Sequence, residues 1–327
     1  MVPYIDMHCD TLSRAYFEKK PTIYQVPEFM VDIARLKEGG CRTQFFAIFM
    51  HPESERAERG DAFPDDLEYI MALLQTFRKS AQEHSEFIAE ARTFSDLEEN
   101  VSAGKMSGIL TVEDGRWVGG SMERLEWLFQ EGVRLIGLTW NFENCFGFPN
   151  SKDPEIMGKG LKDFGKEAIE RMNELGMIID VSHLSDGGFW DVVKLSKKPF
   201  VASHSNCRAL SPHQRNLTDE MIRALAEKGG VMGLNFCPPF LNTDAKSRDG
   251  RIAYMIQHLK HMVNVGGIET AAIGTDLDGI GGNLEIASCA QMQTLFDAMA
   301  GSGFTAEQID KIAYKNTERV LREVLPA

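Results

Sequence analysis

Five short apolar runs in this sequence end in side chains that bind metal ions or carry protons. They close on His8-Cys9-Asp10, Glu113-Asp114, Ser182-His183, His204 and Asp276-Leu277-Asp278-Gly279. Imidazole nitrogen and carboxylate oxygen are the donors that a divalent cation such as zinc takes from proteins. In extended backbone, residues two apart point to the same side, so His8 and Asp10 are placed to grip one cation. A His-x-Asp standing alone is more often a polar strand end, and it is the position after the first strand that gives this one weight. His183 and His204 each follow a separate, successive strand. Neighbouring strands lie about 4.8 Å apart, so two such imidazoles reach the same ion without backbone contortion. Glu113 stands where a carboxylate bridging two cations is wanted, and Asp114 beside it suits the cap of the following turn. Asp276 is a candidate for proton transfer during hydrolysis, with Asp278 a competitor for that role or for ligation. His51, His84, His213, His258 and His261 show no strand-end placement and are left outside the site.

The elements that would position these residues alternate regularly. Apolar, β-rich runs at Tyr4–Met7, Thr43–Ile48, Gly108–Val112, Arg134–Leu138, Met177–Val181, Phe200–Ser203, Val231–Asn235 and Ala271–Thr275 read as eight strands. Amphipathic stretches between them read as helices, among them Pro27–Glu38, Pro64–Glu83, Gly160–Leu175, Thr218–Lys228, Ala290–Ala300 and a closing helix at Thr305–Val324. Ser95-Asp96-Leu97-Glu98 and Thr218-Asp219-Glu220 carry helix start signals. Eight βα repeats predict a (β/α)8 barrel of TIM type in one domain over residues 1–327. A doubly wound open sheet would want a glycine-rich phosphate turn after an early strand, and Met7-His8-Cys9-Asp10-Thr11 is not one. In a barrel of this type, the active site lies at the C-terminal ends of the strands, where the five segments fall. Longer loops are expected at Pro52 to Asp65 and Asn144 to Lys159.

Composition bounds the function. A formal net charge of −13 with no compensating basic run argues against nucleic acid as a partner. No apolar stretch reaches the roughly 20 residues that span a bilayer, and the first residues lack a secretory signal pattern, so no membrane association is expected. Six cysteines without a CxxC pair read as free thiols, and the expected compartment is the cytoplasm.

Taken together in their order, His8-Cys9-Asp10, Glu113, Asp180-Val181-Ser182-His183, Ser203-His204-Ser205, Arg215-Asn216 and Gly274-Thr275-Asp276-Leu277-Asp278-Gly279 resemble the membrane (renal) dipeptidase family of metal-dependent hydrolases. The likeness spans nearly the whole chain. It implies two zinc ions, one held by His8 and Asp10 and the other by His183 and His204, with Glu113 bridging them and a hydroxide between. It also implies Asp276 as the proton-transfer residue, Arg215 as the clamp for a substrate carboxylate, a small dipeptide as substrate, including L-Xaa-D-Xaa, and a homodimer. One departure touches the chemistry: where the family carries Leu-Thr-His after the fourth strand, this chain has Leu138-Thr139-Trp140-Asn141. The Trp140 indole N–H and the Asn141 amide remain as donors to a carbonyl oxygen. That departure keeps open a related hydrolase of another small amide or lactam, and a metal-binding barrel with little peptidase activity. A second departure, Tyr314-Lys315-Asn316 in place of glycine before the asparagine, bears on packing.

Overall fold

The computed structural model describes residues 1–52 and 64–326. Most of the loop expected over Pro52 to Asp65 therefore lies outside the described residues. Strands β1 (Tyr4–Asp6), β2 (Cys41–Phe49), β3 (Ile88–Glu90), β4 (Met106–Glu113), β5 (Val133–Gly137), β6 (Ile178–Asp180), β7 (Val201–Ala202), β8 (Val231–Leu234) and β10 (Ala271–Ile273) form one parallel sheet. Its order is β1-β2-β4-β5-β6-β7-β8-β10, with β3 paired to the first residues of β4. β9 (Asp249–Gly250) and β11 (Asn283–Leu284) pair separately. The ring closes between β10 and β1: Met7 N donates to Ile273 O at 3.0 Å, Asp276 N to His8 O at 3.2 Å, and Asp10 N to Leu277 O at 3.1 Å. Inside this seam the buried Asp6 carboxylate accepts Thr275 N at 2.8 Å and Thr275 Oγ1 at 2.7 Å.

Period-two alternation divides each strand between two cores. Ile5, Phe45, Ile109, Leu135, Ile178, Val201, Val231 and Ala272, one from each barrel strand, face the interior and pack together. Their neighbours Tyr4, Phe46, Leu110, Ile136, Ile179, Ala202, Met232 and Ile273 belong to the second core, against the surrounding helices. The interior core also takes Phe94, Leu97, Val320, Leu321 and Val324, so the C-terminal helix Asn316–Val324 and the helix Phe94–Ser102 plug the floor. A closed floor leaves the opposite rim as the open end.

All eight expected barrel strands are present, with ends displaced by a few residues. The helices differ more. The one expected over Pro27–Glu38 is confined to Ile33–Gly39, capped by Asp32, because Met30 N and Val31 N donate to Asp278 rather than to a helical turn. A helix at Thr11–Phe17 and β3 were not expected. The start signal at Ser95 belongs two residues earlier, where Thr93 and Asp96 make a reciprocal capping box. Thr218 caps its helix as read, accepting from Met221 N. The helix expected from Gly160 begins at Asp163, and the one expected from Ala290 begins at Met292 after a 3-10 turn. The closing helix is interrupted by a π turn at Lys311–Lys315, after which Asn316 Nδ2 donates to Ile268 O and Ala271 O at the start of β10. No helix among the described residues is long and apolar enough to cross a membrane, and all six cysteines are free.

Candidate metal centre and cleft

At the open rim, five side chains from four strand ends converge although up to 196 positions separate them, as for His8 and His204. Glu113, the last residue of β4, sits in the middle. Its Oε2 lies 3.4 Å from His8 Nε2, and its Oε1 lies 3.1 Å from His183 Nε2 and 3.4 Å from His204 Nε2. His8 Nε2 is also 3.4 Å from Asp10 Oδ2. The two imidazoles that follow β6 and β7 meet at 3.3 Å between their Nε2 atoms. Glu113 thus turns one oxygen toward His8, beside Asp10, and the other toward His183 and His204.

The local conformations serve this convergence. Asp10 is not extended: it is the cap of the helix Thr11–Phe17, with φ −100° and ψ 20°, and it reaches His8 from there. His183, Asp114, Asp276 and Asp278 all have positive φ, an uncommon conformation for residues other than glycine that collects at functional sites. Gly279 is required by close approach, since a Cβ there would stand 2.1 Å from Asp10 Oδ2 and 2.8 Å from Asp276 Oδ1.

The donor set fits divalent cations. His8 Nε2 and Asp10 Oδ1 are buried without a hydrogen-bond partner among the described residues. A buried polar atom left in that state is costly, and a cation would relieve it. Among the protein groups alone, burial favours a neutral His8, but the Glu113 and Asp10 carboxylates override this and raise its pKa well above the usual value. Burial lowers His183 to about 4, helped by the Arg215 charge, and lowers His204 well below the ordinary range. Neutral imidazole is the form that ligates metal.

Asp276 lies beside this group. Its Oδ1 is 3.9 Å from His8 Nε2, and its Oδ2 accepts Asn235 Nδ2 at 2.8 Å. Burial raises its pKa to about 7, His8 opposing and the Asp10 and Glu113 charges adding to the rise. Asp278 competes for neither role, because its fully buried carboxylate accepts from Thr11 Oγ1, Arg14 Nη1, Met30 N and Val31 N at 2.7 to 3.3 Å. Asp114 caps the turn after β4 through Arg116 N at 3.1 Å, as its position suggested.

Two cavities of about 570 Å³ and 540 Å³ open over the centre and share Asn141, His183, Cys237 and Phe240 in their walls. Trp140 lines the first, its ring 4.9 Å from Phe49 and 6.1 Å from His183. Asn141 Oδ1 lies 3.2 Å from His183 Nδ1. Arg215 lines the second cavity. Its Nη1 donates to Ser205 Oγ at 2.6 Å and Nη2 to His204 O at 2.9 Å, while Nε is buried with no hydrogen-bond partner among the described residues.

His51 and His213, excluded on the sequence, line the cleft. β2 runs to Phe49, so His51 does stand just past a strand end, and His213 Nδ1 accepts Arg215 N at 3.2 Å. His258 is buried and bonds Cys207 N and Leu241 O, and the half-buried His261 pairs with Asp219. Asn235 was missed, although it ends the seventh expected strand and the strand-end criterion applied to amides would have found it.

A TIM-type barrel whose C-terminal rim gathers buried imidazoles and carboxylates beneath an open cleft is the architecture of a metal-dependent hydrolase. The model of the membrane dipeptidase family, peptidase family M19, matches residues 1–326, and the chain belongs to that family. A metallopeptidase from Rhodobacter sphaeroides, solved with a phosphinate mimic of the dipeptide L-Ala-D-Ala, is similar over 99% of both chains, with TM-score 0.89 and 26% identity. A second metallopeptidase structure, dipeptidase AC, gives TM-score 0.88 and 27% identity over 100% of this chain and 99% of its own. In sequence, an uncharacterized protein of the pqqA 5′ region in Klebsiella pneumoniae is 35% identical over 237 residues, 70% of this chain and 86% of its own. Dipeptidase tcpJ of Claviceps purpurea is 25% identical over 90% of this chain and 69% of its own.

Proposed function

We propose that this metallo-dipeptidase family member hydrolyses dipeptides, including those with a D-residue at the C-terminal position, using two zinc ions. His8 and Asp10 would hold one, His183 and His204 the other, and Glu113 would bridge them. The observation that carries the reading is the division of Glu113, whose two oxygens face two separate sets of donors. Bound zinc supplies Lewis acidity, polarising the scissile carbonyl and making water a stronger nucleophile near neutral pH.

The chain's own groups do the rest. Asp276 accepts the proton of the attacking water and returns it to the leaving amine, a task suited to a carboxyl whose pKa burial pushes to about 7, and which bound cations would draw lower. Asn235 fixes its orientation. Arg215, pinned by Ser205 and the His204 carbonyl, keeps Nε for the free carboxylate of the substrate. Trp140 and Asn141 stand beside His183 in the cleft wall, where an indole and an amide N–H serve the carbonyl oxygen in place of the family's histidine. A cytoplasmic setting accords with six free thiols.

The test is a screen of the zinc-loaded protein against L-Xaa-L-Xaa and L-Xaa-D-Xaa dipeptides, with metal content measured in the same samples. Turnover of dipeptides at two zinc per chain is expected; two zinc with no dipeptide cleaved would overturn the substrate. Trp140 favours one second reading, a small amide or lactam as substrate, because its ring makes the wall beside His183 more apolar. Including such compounds in the screen separates the two.

A further inference from the structure

Behind His204, on the side away from the cleft, lies a chain of buried groups that the proposed reaction does not use. Ser203 Oγ is 2.7 Å from His204 Nδ1 and 2.5 Å from Asp180 Oδ2. The other Asp180 oxygen accepts Ser182 N and Ser203 N, both at 2.9 Å. Asp180, Ser203 and His204 are 2%, 0% and 1% exposed, so no solvent competes for these bonds.

The direction of the chain follows from what each group can donate. As a carboxylate, Asp180 only accepts, so the single Ser203 hydroxyl proton points to Oδ2. Ser203 then faces His204 with a lone pair, and the 2.7 Å contact forms only if Nδ1 carries the imidazole proton. That leaves Nε2 bare and aimed at Glu113 Oε1 and His183 Nε2. The backbone fixes the ring further, as His204 N donates to Ser182 Oγ at 3.2 Å and the His8 ring stacks at 3.9 Å. Among the described residues, the His183 Nδ1 has no such charged support; it meets the neutral Asn141 Oδ1 at 3.2 Å.

We propose that Asp180 and Ser203 form a directional relay that holds His204 as the Nδ1–H tautomer and so keeps its Nε2 lone pair available to a metal ion. Both are positioning residues acting through His204, and the inference rests on the metal centre proposed above. It has a consequence that depends on sign. In Asp180→Asn, an amide nitrogen in place of Oδ2 donates to Ser203 Oγ. The Ser203 proton is then driven toward His204 Nδ1, favouring the Nε2–H tautomer that has no lone pair for a cation. Ser203→Ala only removes the partner. The isosteric Asp180→Asn should therefore be at least as damaging as Ser203→Ala, and Ser203→Thr, which keeps the hydroxyl, should rescue.

The experiment measures zinc affinity of the full chain by competition with a fluorescent zinc chelator, alongside thermal unfolding of the metal-free proteins. Wild type should take two zinc. Ser203→Ala should bind one of the two about 10- to 100-fold more weakly, the usual effect of losing a partner behind a ligand. Asp180→Asn should bind that ion no more tightly than Ser203→Ala does, and Ser203→Thr should resemble wild type. In ¹⁵N-histidine-labelled zinc protein, the His204 Nδ1 proton should resonate far downfield in wild type and Ser203→Thr and move in Ser203→Ala. Ser203→Ala and Asp180→Asn proteins that hold both ions as tightly as wild type, with or without lower melting points, would overturn the relay and leave the zinc reading intact. Wild type that takes up no zinc would remove the zinc reading and the relay with it.

Discussion

Asp276 and Asp278 are two residues apart, share a positive φ, and have carboxyl groups little exposed to solvent, yet their neighbours differ. Asp278 is saturated by four donors from the first helix and the loop before Ile33, whereas among the described residues Asp276 has one side-chain donor, Asn235, and otherwise faces His8. Asp276→Asn should reduce kcat about 10²- to 10⁴-fold, the range for loss of a general acid–base group, with zinc content unchanged. Asp278→Ala should instead destabilise the fold by roughly 3 kcal/mol, since Arg14 and two backbone N–H groups lose their acceptor, and denaturant unfolding reads this directly. Equal activity losses in the two variants would contradict the division of roles. In the sequence this choice was open, because Asp-x-Asp spacing fixes which side each residue faces only in regular strand, and here both residues lie beyond β10 in left-handed backbone. Residue types at strand ends pointed to His8, Asp10, Glu113, His183 and His204, and the structure gathers all five. His51 escaped notice because the end of β2 was read at Ile48, one residue short.

At the scale of elements, turns after the strands set the geometry of the centre, and Gly279 stands directly against two of its carboxylates. A methyl group there would stand 2.1 Å from Asp10 Oδ2, an approach that real atoms do not make, so Asp10 must move. Gly279→Ala should therefore lower zinc stoichiometry from two toward one, with the ion beside His8 lost first. Retention of both ions, measured by elemental analysis after gel filtration, would show that the turn can yield. The eight strands were legible because a barrel strand is buried on both faces and reads as a continuous apolar run. Less legible were the stretch before Ile33, whose N–H groups bond to Asp278 about 250 positions away, and the π turn at Lys311–Lys315. Long-range partners of that kind leave no local pattern. The exchange of glycine for Lys315 noted in the sequence falls at the end of this turn, immediately before the Asn316 bonds that hold the start of β10.

For the molecule as a whole, buried neutral histidine couples folding to pH. His258 accepts from Cys207 N through Nδ1 and donates to Leu241 O, and burial lowers its pKa to about 4. Its unfolded value is about 6.5, so between these limits the unfolded chain binds the extra proton and stability rises with pH. The contribution is complete above about pH 6.5 and is lost as pH falls to about 4, roughly 3 kcal/mol in all. In chelator-treated protein, His258→Gln should give a shallower dependence of unfolding free energy on pH across that window; parallel curves would exclude the residue. The central claim concerns the open rim of the barrel. The most direct measurement is a crystal of the zinc-loaded protein examined by anomalous scattering at the zinc edge. Two peaks are predicted, one against His8 and Asp10 and one against His183 and His204, with the Glu113 carboxylate between them. Absence of both peaks from that rim, or zinc bound only elsewhere, would contradict the account.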